Sequence, residues 1–427
     1  MTKRKRVDFT ARLRLRHSSF VIPPGGLSRL LCIAAIGNGL RMTLPAPGRK
    51  LLFLRRGLFS YSNVSTAEQL QKHFPEYPLE NVDIGPRFDF GRACLLKNPL
   101  FFLRNLVETR RLYGPLIRSG KLSLRNGFGR TLGYMKAARA HIVERFAGRA
   151  GEFAFSFQTQ SLFDGHLPGL PHFLFTDHTH LANLGYPSFD RELLAGPEWI
   201  AAERAVYHAA TRVFTMAGHV ARSCVKDYGL PEERVATVHA GSNLKSRPLP
   251  LANDEFRNQT IVFIGIDWER KGGPTLLKAF AAVRETLPNA KLIVVGCDPG
   301  IASPGVEFTG KVPREAVGGY LARATVCCLP SRIEPFGIAP IEAALGGVPS
   351  VVSDVGALPE IILDGETGRV IPVDDAPRLA AALIELLRDP ALCQRLGAAG
   401  RLHVTERFNW DYVGARLRTH ILAALAG

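Results

Sequence analysis

The stretch "TIVFIGIDWERKGGPTLLKAFAAVRETLPNAKLIVVG", residues 260–296, decides the fold. It reads as an apolar strand, a polar turn, a helix opening near Gly273, and a second apolar strand. Runs rich in β-branched residues without alternation fit strands that are covered on both faces. A helix between two such strands is the usual crossover of a parallel pair. The same rhythm continues through "VEFTG", a helix in "REAVGGYLARA", the strand "TVCCLP", a helix from Gly337, the strand "PSVVSD" and the helix "APRLAAALIELLRD".

Toward the N-terminus, "SRPLPLANDEF" (246–256) interrupts the rhythm with prolines and polar residues and reads as a linker. A second series precedes it. Strands are expected at "KLLFLRR", "NVDIG", "EFAFSFQ", "HFLFTD", "VFTMA" and "VATVHAG". Helices are expected at "STAEQLQKHF", with Ser65 or Thr66 near its N-cap, and at "GPEWIAAERAVYHAATR" and "HVARSCVKDYG". The fold class is therefore α/β: two Rossmann-like, doubly wound parallel-sheet domains facing a cleft, with ligands at the carboxyl ends of the strands.

The 427 residues, 46% hydrophobic, are enough for about two domains with real cores. The seven cysteines form no CxxC pair and no zinc-like spacing. Cys327 and Cys328 sit in an apolar run and read as a buried reduced pair, which fits a reducing, cytoplasmic compartment. The net charge of +16 suggests a polyanionic neighbour. No apolar run reaches the roughly 18 to 20 residues needed to cross a bilayer. Residues 1–48 form a basic extension in which arginines interrupt a signal-like pattern. They read as a flexible arm, or as sequence ahead of a natural start at Met42.

Two segments point to chemistry. After "VFIGI", Gly265, Arg270, Lys271 and the Gly272–Gly273 pair could form a phosphate cradle or an ordinary solvated turn. The turn does not match GxxxxGK[ST], and "VVGCDPG" lacks the GxGxxG pattern. In "SRIEPFGIAPIE" (331–342), Glu334 falls in a loop and Glu342 one to two turns into the next helix. The N–H groups of Phe336, Gly337 and Ile338 would point outward from the helix start, after a Pro335 that suits the entry. By physics alone the two acids either face a ligand or merely complement the helix dipole.

The longer stretch "SRIEPFGIAPIEAALGGVPSVVSDVGALPEIILDGETGRVIPVDD" (331–375) resembles the donor-binding signature of retaining family-4 glycosyltransferases, which share the GT-B fold. The carriers are the E-x7-E pair Glu334 and Glu342, the "EPFG" turn, "GALPE" and a "GETG" hairpin. The likeness reaches back through "FIGIDWERKGG" and "VFTMAGHVARSCVKDYGLPEERVATVHAGSN" and forward to "RFNWDYVGARL", over roughly residues 195 to 420. It implies Glu334 beside the donor sugar, Glu342 on the ribose hydroxyls and Lys271 on the diphosphate. It also implies that no metal or other cofactor is needed, the nucleotide diphosphate sugar being a co-substrate. One position departs from the pattern: Ile266 stands where the family usually has arginine, and Arg270 is the candidate replacement.

In the first half the resemblance puts a histidine near the reacting sugar. His178 in "PHFLFTDHTH" is its best match, with Asp177 and His180 as rivals. The implied domains are 49–248 for the acceptor, 256–405 for the donor, and a helix over 406–427 crossing back to the first domain. Residues 95–150 carry twelve lysines and arginines, from Lys97 to Arg149, interleaved with aromatics. They read as a solvated face, or as a surface for an anionic membrane or a phosphate-linked lipid acceptor. No nucleic-acid module is recognisable. The implied activity is hexosyl transfer to a glycan, lipid-linked or small-molecule acceptor in envelope polysaccharide or glycolipid synthesis, on the inner face of the membrane. An epimerase or phosphorylase on the same fold, or a non-catalytic polyanion-binding protein, are the alternatives.

Overall fold

The computed structural model describes residues 48–59, 61–244 and 255–426. The expected basic extension up to residue 47, and the linker up to 254, lie outside them. Twelve strands among the described residues form two sheets, every pairing parallel. The first sheet holds β1 (Lys50–Arg55), β2 (Leu79–Asp83), β3 (Phe153–Thr159), β4 (His172–Thr176), β5 (Arg212–Thr215) and β6 (Val235–Thr237), in the order β2-β1-β3-β4-β5-β6. The second holds β7 (Thr260–Ile264), β8 (Lys291–Val295), β9 (Val306–Phe308), β10 (Val326–Leu329), β11 (Ser350–Ser353) and β12 (Gly368–Ile371), in the order β12-β11-β10-β7-β8-β9.

In each sheet the chain winds one way from its first strand and then crosses to that strand's other side. The reversals fall between β1 and β3, and between β7 and β10. In open α/β sheets such a reversal leaves a crevice at the strands' carboxyl ends, where ligands bind. The α/β, doubly wound reading is the observed architecture. Cys327 and Cys328 are free thiols with no exposure, on the central strand β10.

Several local expectations change. Helix Ser62–His73 begins ahead of the expected cap: Tyr61 precedes it with a left-handed φ of 67°, and Ser65 and Thr66 lie inside the helix. The "GETG" stretch is not a hairpin. The Gly365 N–H donates to the Gly368 carbonyl (3.0 Å), but the strand that follows pairs parallel with β11. "REAVGGYLARA" yields only the short helix Val317–Leu321 after a 3-10 turn, as its two glycines weaken a longer one. The basic stretch from 85 to 146 is an all-helical insertion between β2 and β3, with helices Pro99–Arg118 and Leu132–Phe146 its main members. It buries Phe102, Phe128, Tyr134 and Ile142 against Leu52 and Leu54 on one face of the first sheet.

The two sheets are tied together at several points. Helix Pro390–Arg407 runs past the expected boundary at 405, and helix Trp410–Ala426 then packs on helix Ser62–His73. Lys72 pairs with Asp411 (2.6 Å), Arg418 with Glu76 (2.7 Å), and the Arg416 guanidinium donates to the Thr237 carbonyl (3.1 Å). A further tie is a cap supplied from the other half. The Glu360 carboxylate accepts the Gly218 N–H (2.8 and 3.1 Å) at the start of helix Gly218–Lys226, which has no cap of its own. An acid there satisfies an orphan donor and the positive end of the helix. Glu360→Gln should therefore lower unfolding stability by about 1 kcal/mol. Urea denaturation followed by circular dichroism measures this, and an unchanged midpoint would remove the carboxylate from the contacts joining the halves.

Candidate active site between the two sheets

The reversal between β7 and β10 brings together the two segments that the sequence singled out. The turn after β7 runs from Gly265 to Gly272 and leads into helix Gly273–Thr286. The loop after β10 runs from Pro330 to Gly337 and leads into helix Ile338–Leu345. The loops are locked edge to edge. The Arg332 N–H donates to the Arg270 carbonyl (2.9 Å), and the Arg270 guanidinium donates to the Ile333 carbonyl (2.8 Å). Gly272 has a φ of 78°, and a Cβ there would lie 1.8 Å from the Pro330 carbonyl oxygen, so only glycine permits the approach.

That approach places the Lys271 ammonium directly on the Glu334 carboxylate, and the Ser331 hydroxyl donates to the same oxygen (3.1 Å). The two charged side chains retain only 15% and 7% of their exposure. Burial raises the Glu334 carboxyl, but Lys271 and then Arg270 outweigh it and hold the group below the ordinary carboxylate value. Glu334 is thus ionised. Burial draws the Lys271 ammonium down, with Glu334 opposing.

Phe336 turns its ring into the core against Phe408, so its polar contribution is its backbone. Among the described residues no acceptor engages the N–H groups of Phe336, Gly337 or Ile338. They form an open anion-accepting edge beside Lys271. Gly265 packs its Cα against the Lys271 stem and the Phe263 ring. Ile266 is 79% exposed. Arg270, the expected substitute for the missing arginine, is engaged by the Ile333 carbonyl and by Asp267 (3.3 Å) and serves to join the loops. Glu342 is buried on helix Ile338–Leu345 and accepts the Asn243 N–H (3.2 Å) from the segment joining the halves. Burial pushes its carboxyl up to about 7.

The first half faces this site with the loop after β4. Asp177 and His178 come directly after that strand. Burial, reinforced by the Glu334 charge across the cleft, pushes the Asp177 carboxyl up to about 6. The His178 ring stacks on Tyr186 (5.8 Å between centroids), with His219 at 6.4 Å. Among the described residues neither of its ring nitrogens has a hydrogen-bond partner within normal geometry, and the neighbouring Asn183 amide donates to the His180 carbonyl. Burial lowers His178 to about 4, so it is neutral at pH 7. His180 is turned away into the first half, where its Nε2 accepts the Ala195 N–H (2.7 Å) and its ring meets Trp199 edge-on. Tyr186 belongs to no stretch that the sequence marked, and His219, although inside "VFTMAGHVARSC", was not singled out there. Gly356 seals the junction, since a Cβ there would lie 1.7 Å from the Glu334 carbonyl oxygen and 3.3 Å from the Tyr186 hydroxyl.

Comparison with known proteins fits this geometry. Residues 258–389 match the family model described as Glycosyl transferases group 1. The chain has the GT-B fold and carries a glycosyl transferases group 1 domain. It is 33% identical to a phosphatidyl-myo-inositol mannosyltransferase of Mycobacterium leprae over 43% of this chain and 52% of that one. It is 28% identical to an MMP alpha-(1->4)-mannosyltransferase of Mycolicibacterium hassiacum over 66% of this chain and 72% of that one. The match thus spans about half the length of the first of these relatives. Among solved structures, sucrose-phosphate synthase of Thermosynechococcus elongatus superimposes with a TM-score of 0.61 at 20% identity, over 88% of this chain and all of the other.

The loop carrying Asp177 and His178 is held from behind by one buried acid. Glu203, on helix Pro197–Ala209, accepts the Ser161 hydroxyl (2.7 Å), the Tyr228 hydroxyl and the His180 N–H (3.3 Å). Burial pushes its carboxyl up to about 7, with those hydrogen bonds opposing. A folded-state value above the unfolded one favours folding below the unfolded pKa, and that advantage is lost as pH rises from about 4.5 to 7. The amide of Glu203→Gln does not titrate. The variant should gain stability relative to the parent between pH 5 and 8, by on the order of 3 kcal/mol. Melting curves across that range test this, and a pH-independent difference would refute it.

Proposed function

We propose that the protein is a retaining glycosyltransferase that moves a hexose from a nucleotide diphosphate sugar to a glycan or lipid-linked acceptor. The observation that carries the reading is the Lys271–Glu334 pair at the reversal point, beside the unengaged N–H groups of residues 336–338. In this reading the donor diphosphate takes the helix start and the Lys271 ammonium, which together stabilise the leaving charge. Glu334, freed toward the cleft, faces the positive charge that develops on the sugar. Glu342 takes the ribose hydroxyls once the Asn243 N–H yields. Neutral His178 offers a ring nitrogen to the sugar from the opposite wall. Charge neutralisation by side chains and backbone is what a transferase acting without a bound metal uses. Closure of the two halves would keep water from the donor. The relatives' names speak for a mannosyl donor, and that of the first for glycolipid synthesis.

Replacing Glu334 by Gln should lower kcat for transfer by about 100-fold or more, with nucleotide affinity nearly unchanged. Activity with a panel of UDP-, GDP- and ADP-sugars, and the anomeric configuration of the product by NMR, decide the matter. Full activity of the variant or an inverted product would refute the mechanism.

Peripheral attachment to the cytoplasmic face of a membrane belongs to the same proposal. Leu100, Leu103 and Val107 form one exposed row along helix Pro99–Arg118, spaced three and four residues apart, and Leu96 at the end of the preceding short helix is exposed as well. Lys97, Arg104 and Arg111 accompany the row. An apolar ridge flanked by cations suits an anionic bilayer surface. No helix among the described residues is long and apolar enough to cross a membrane. Combining Leu100→Gln, Leu103→Gln and Val107→Gln should weaken sedimentation with phosphatidylglycerol vesicles about tenfold or more, without altering the melting temperature. Equal binding by the variant would sink the membrane reading of this face.

A further inference from the structure

The first sheet has its own reversal point, between β1 and β3, and the donor chemistry proposed above leaves it unused. A cavity of ≈ 330 Å³ opens there. Arg56, directly after β1, and Leu162, three residues after β3, lie on its wall with Asp89, Arg125 and Arg130. The charges are unbalanced. Asp89 is engaged by Arg56 (2.5 Å) and by the Tyr134 hydroxyl (3.0 Å), while the Arg56 guanidinium also lies over the Tyr134 ring (4.7 Å). Among the described residues the side chains of Arg125 and Arg130 meet no carboxylate and no hydrogen-bond acceptor.

Arg125 stands in solvent at the rim, and Arg130 is half-buried. Burial draws the Arg130 pKa down. Arg56 and Leu162 follow the carboxyl ends of β1 and β3, so the cavity lies at the ligand-binding edge of the first sheet. A guanidinium partly withdrawn from water without an anion is less favourable than one in solvent, and a ligand that supplied the anion would offset that cost. Two forks of N–H donors on the wall of one cavity match a phosphate, whose several oxygens can satisfy both.

The geometry points to a binding site for a phosphate-bearing acceptor, gripped by Arg130 and Arg125 with Arg56 held in place by Asp89. The word acceptor rests on the glycosyltransferase reading; the anion site does not. The phosphate would belong either to a lipid headgroup or to a soluble sugar phosphate, and both present the same chemistry to the arginines.

The test is calorimetry of the full chain at low salt with inorganic phosphate, beside sedimentation with phosphatidylglycerol vesicles, for the parent and for Arg125→Gln combined with Arg130→Gln. Arg125→Gln alone, at an exposed position, guards against misfolding of the double variant. The double variant should lose about tenfold or more in phosphate affinity, and the single variant part of that. Melting temperature and UDP or GDP binding should stay as in the parent. A parallel loss of vesicle binding, with the leucine row intact, supports the lipid source. Loss of phosphate binding alone supports the soluble one. Unchanged phosphate and vesicle binding in both variants overturns the proposal. Failure of the parent to bind any nucleotide would overturn the glycosyltransferase reading while leaving the phosphate result to stand.

Discussion

The buried pair of Lys271 and Glu334 is the constraint around which the second half is arranged. Two opposite charges withdrawn from water lose several kcal/mol of hydration each, and their attraction repays this only in close geometry with the remaining valences satisfied. Ser331 supplies one such bond, and the backbone bonds between the loops hold the distance. Neither loop could manage this alone. The strand order that seats β7 against β10 brings two segments more than sixty residues apart in sequence into contact. The pair is also poised: a ligand phosphate that competes for the ammonium releases a carboxylate which burial disfavours and which a developing positive charge would welcome.

The same logic of borrowed partners joins the halves. Glu360 of the second half caps a helix of the first, and the final helix returns to pack on the helix after β1. Gly356 sits between the Glu334 backbone and the Tyr186 hydroxyl with no room for a side chain. Glu342 accepts its N–H from the connecting segment itself. Glu334 and Glu342 therefore feel the relative position of the two halves. Opening or closing the cleft would change the solvation and partners of Glu334 and Glu342 together, a direct route from domain motion to the ionisation of the site.

The fold was legible in the sequence because a parallel sheet buried on both faces writes itself as unbroken apolar runs separated by helices. Eleven of the twelve strands fall on stretches that the sequence marks, even the three-residue β9; β12 escaped because "GRVI" is short and charged. The pairing of Lys271 with Glu334 was not legible, since it depends on strand order, which no local pattern fixes. Ser65 and Thr66 misled because the cap preference of a hydroxyl is weaker than the left-handed turn at Tyr61. His180 shows the same limit. A histidine after a strand reads as a ligand contact until the fold supplies the Ala195 N–H that claims it.

The two walls of the cleft differ in how their chemistry is encoded. The second half gathers its acids, glycines and helix start into a contiguous stretch, and the family match at 258–389 falls there. The first half assembles its wall from single residues. Asp177 and His178 follow β4, Tyr186 lies ten residues on, His219 opens a helix, Arg56 follows β1, and Arg130 lies within the helical insertion. A nucleotide diphosphate is a constant demand, and one compact arrangement meets it. An acceptor is a variable one, and scattered positions on a helical insertion can be exchanged without disturbing the sheet beneath. Under the proposed reading the wall of the second half is the transferable part, and the choice of acceptor falls to Arg56 and to the arginines and apolar residues between β2 and β3.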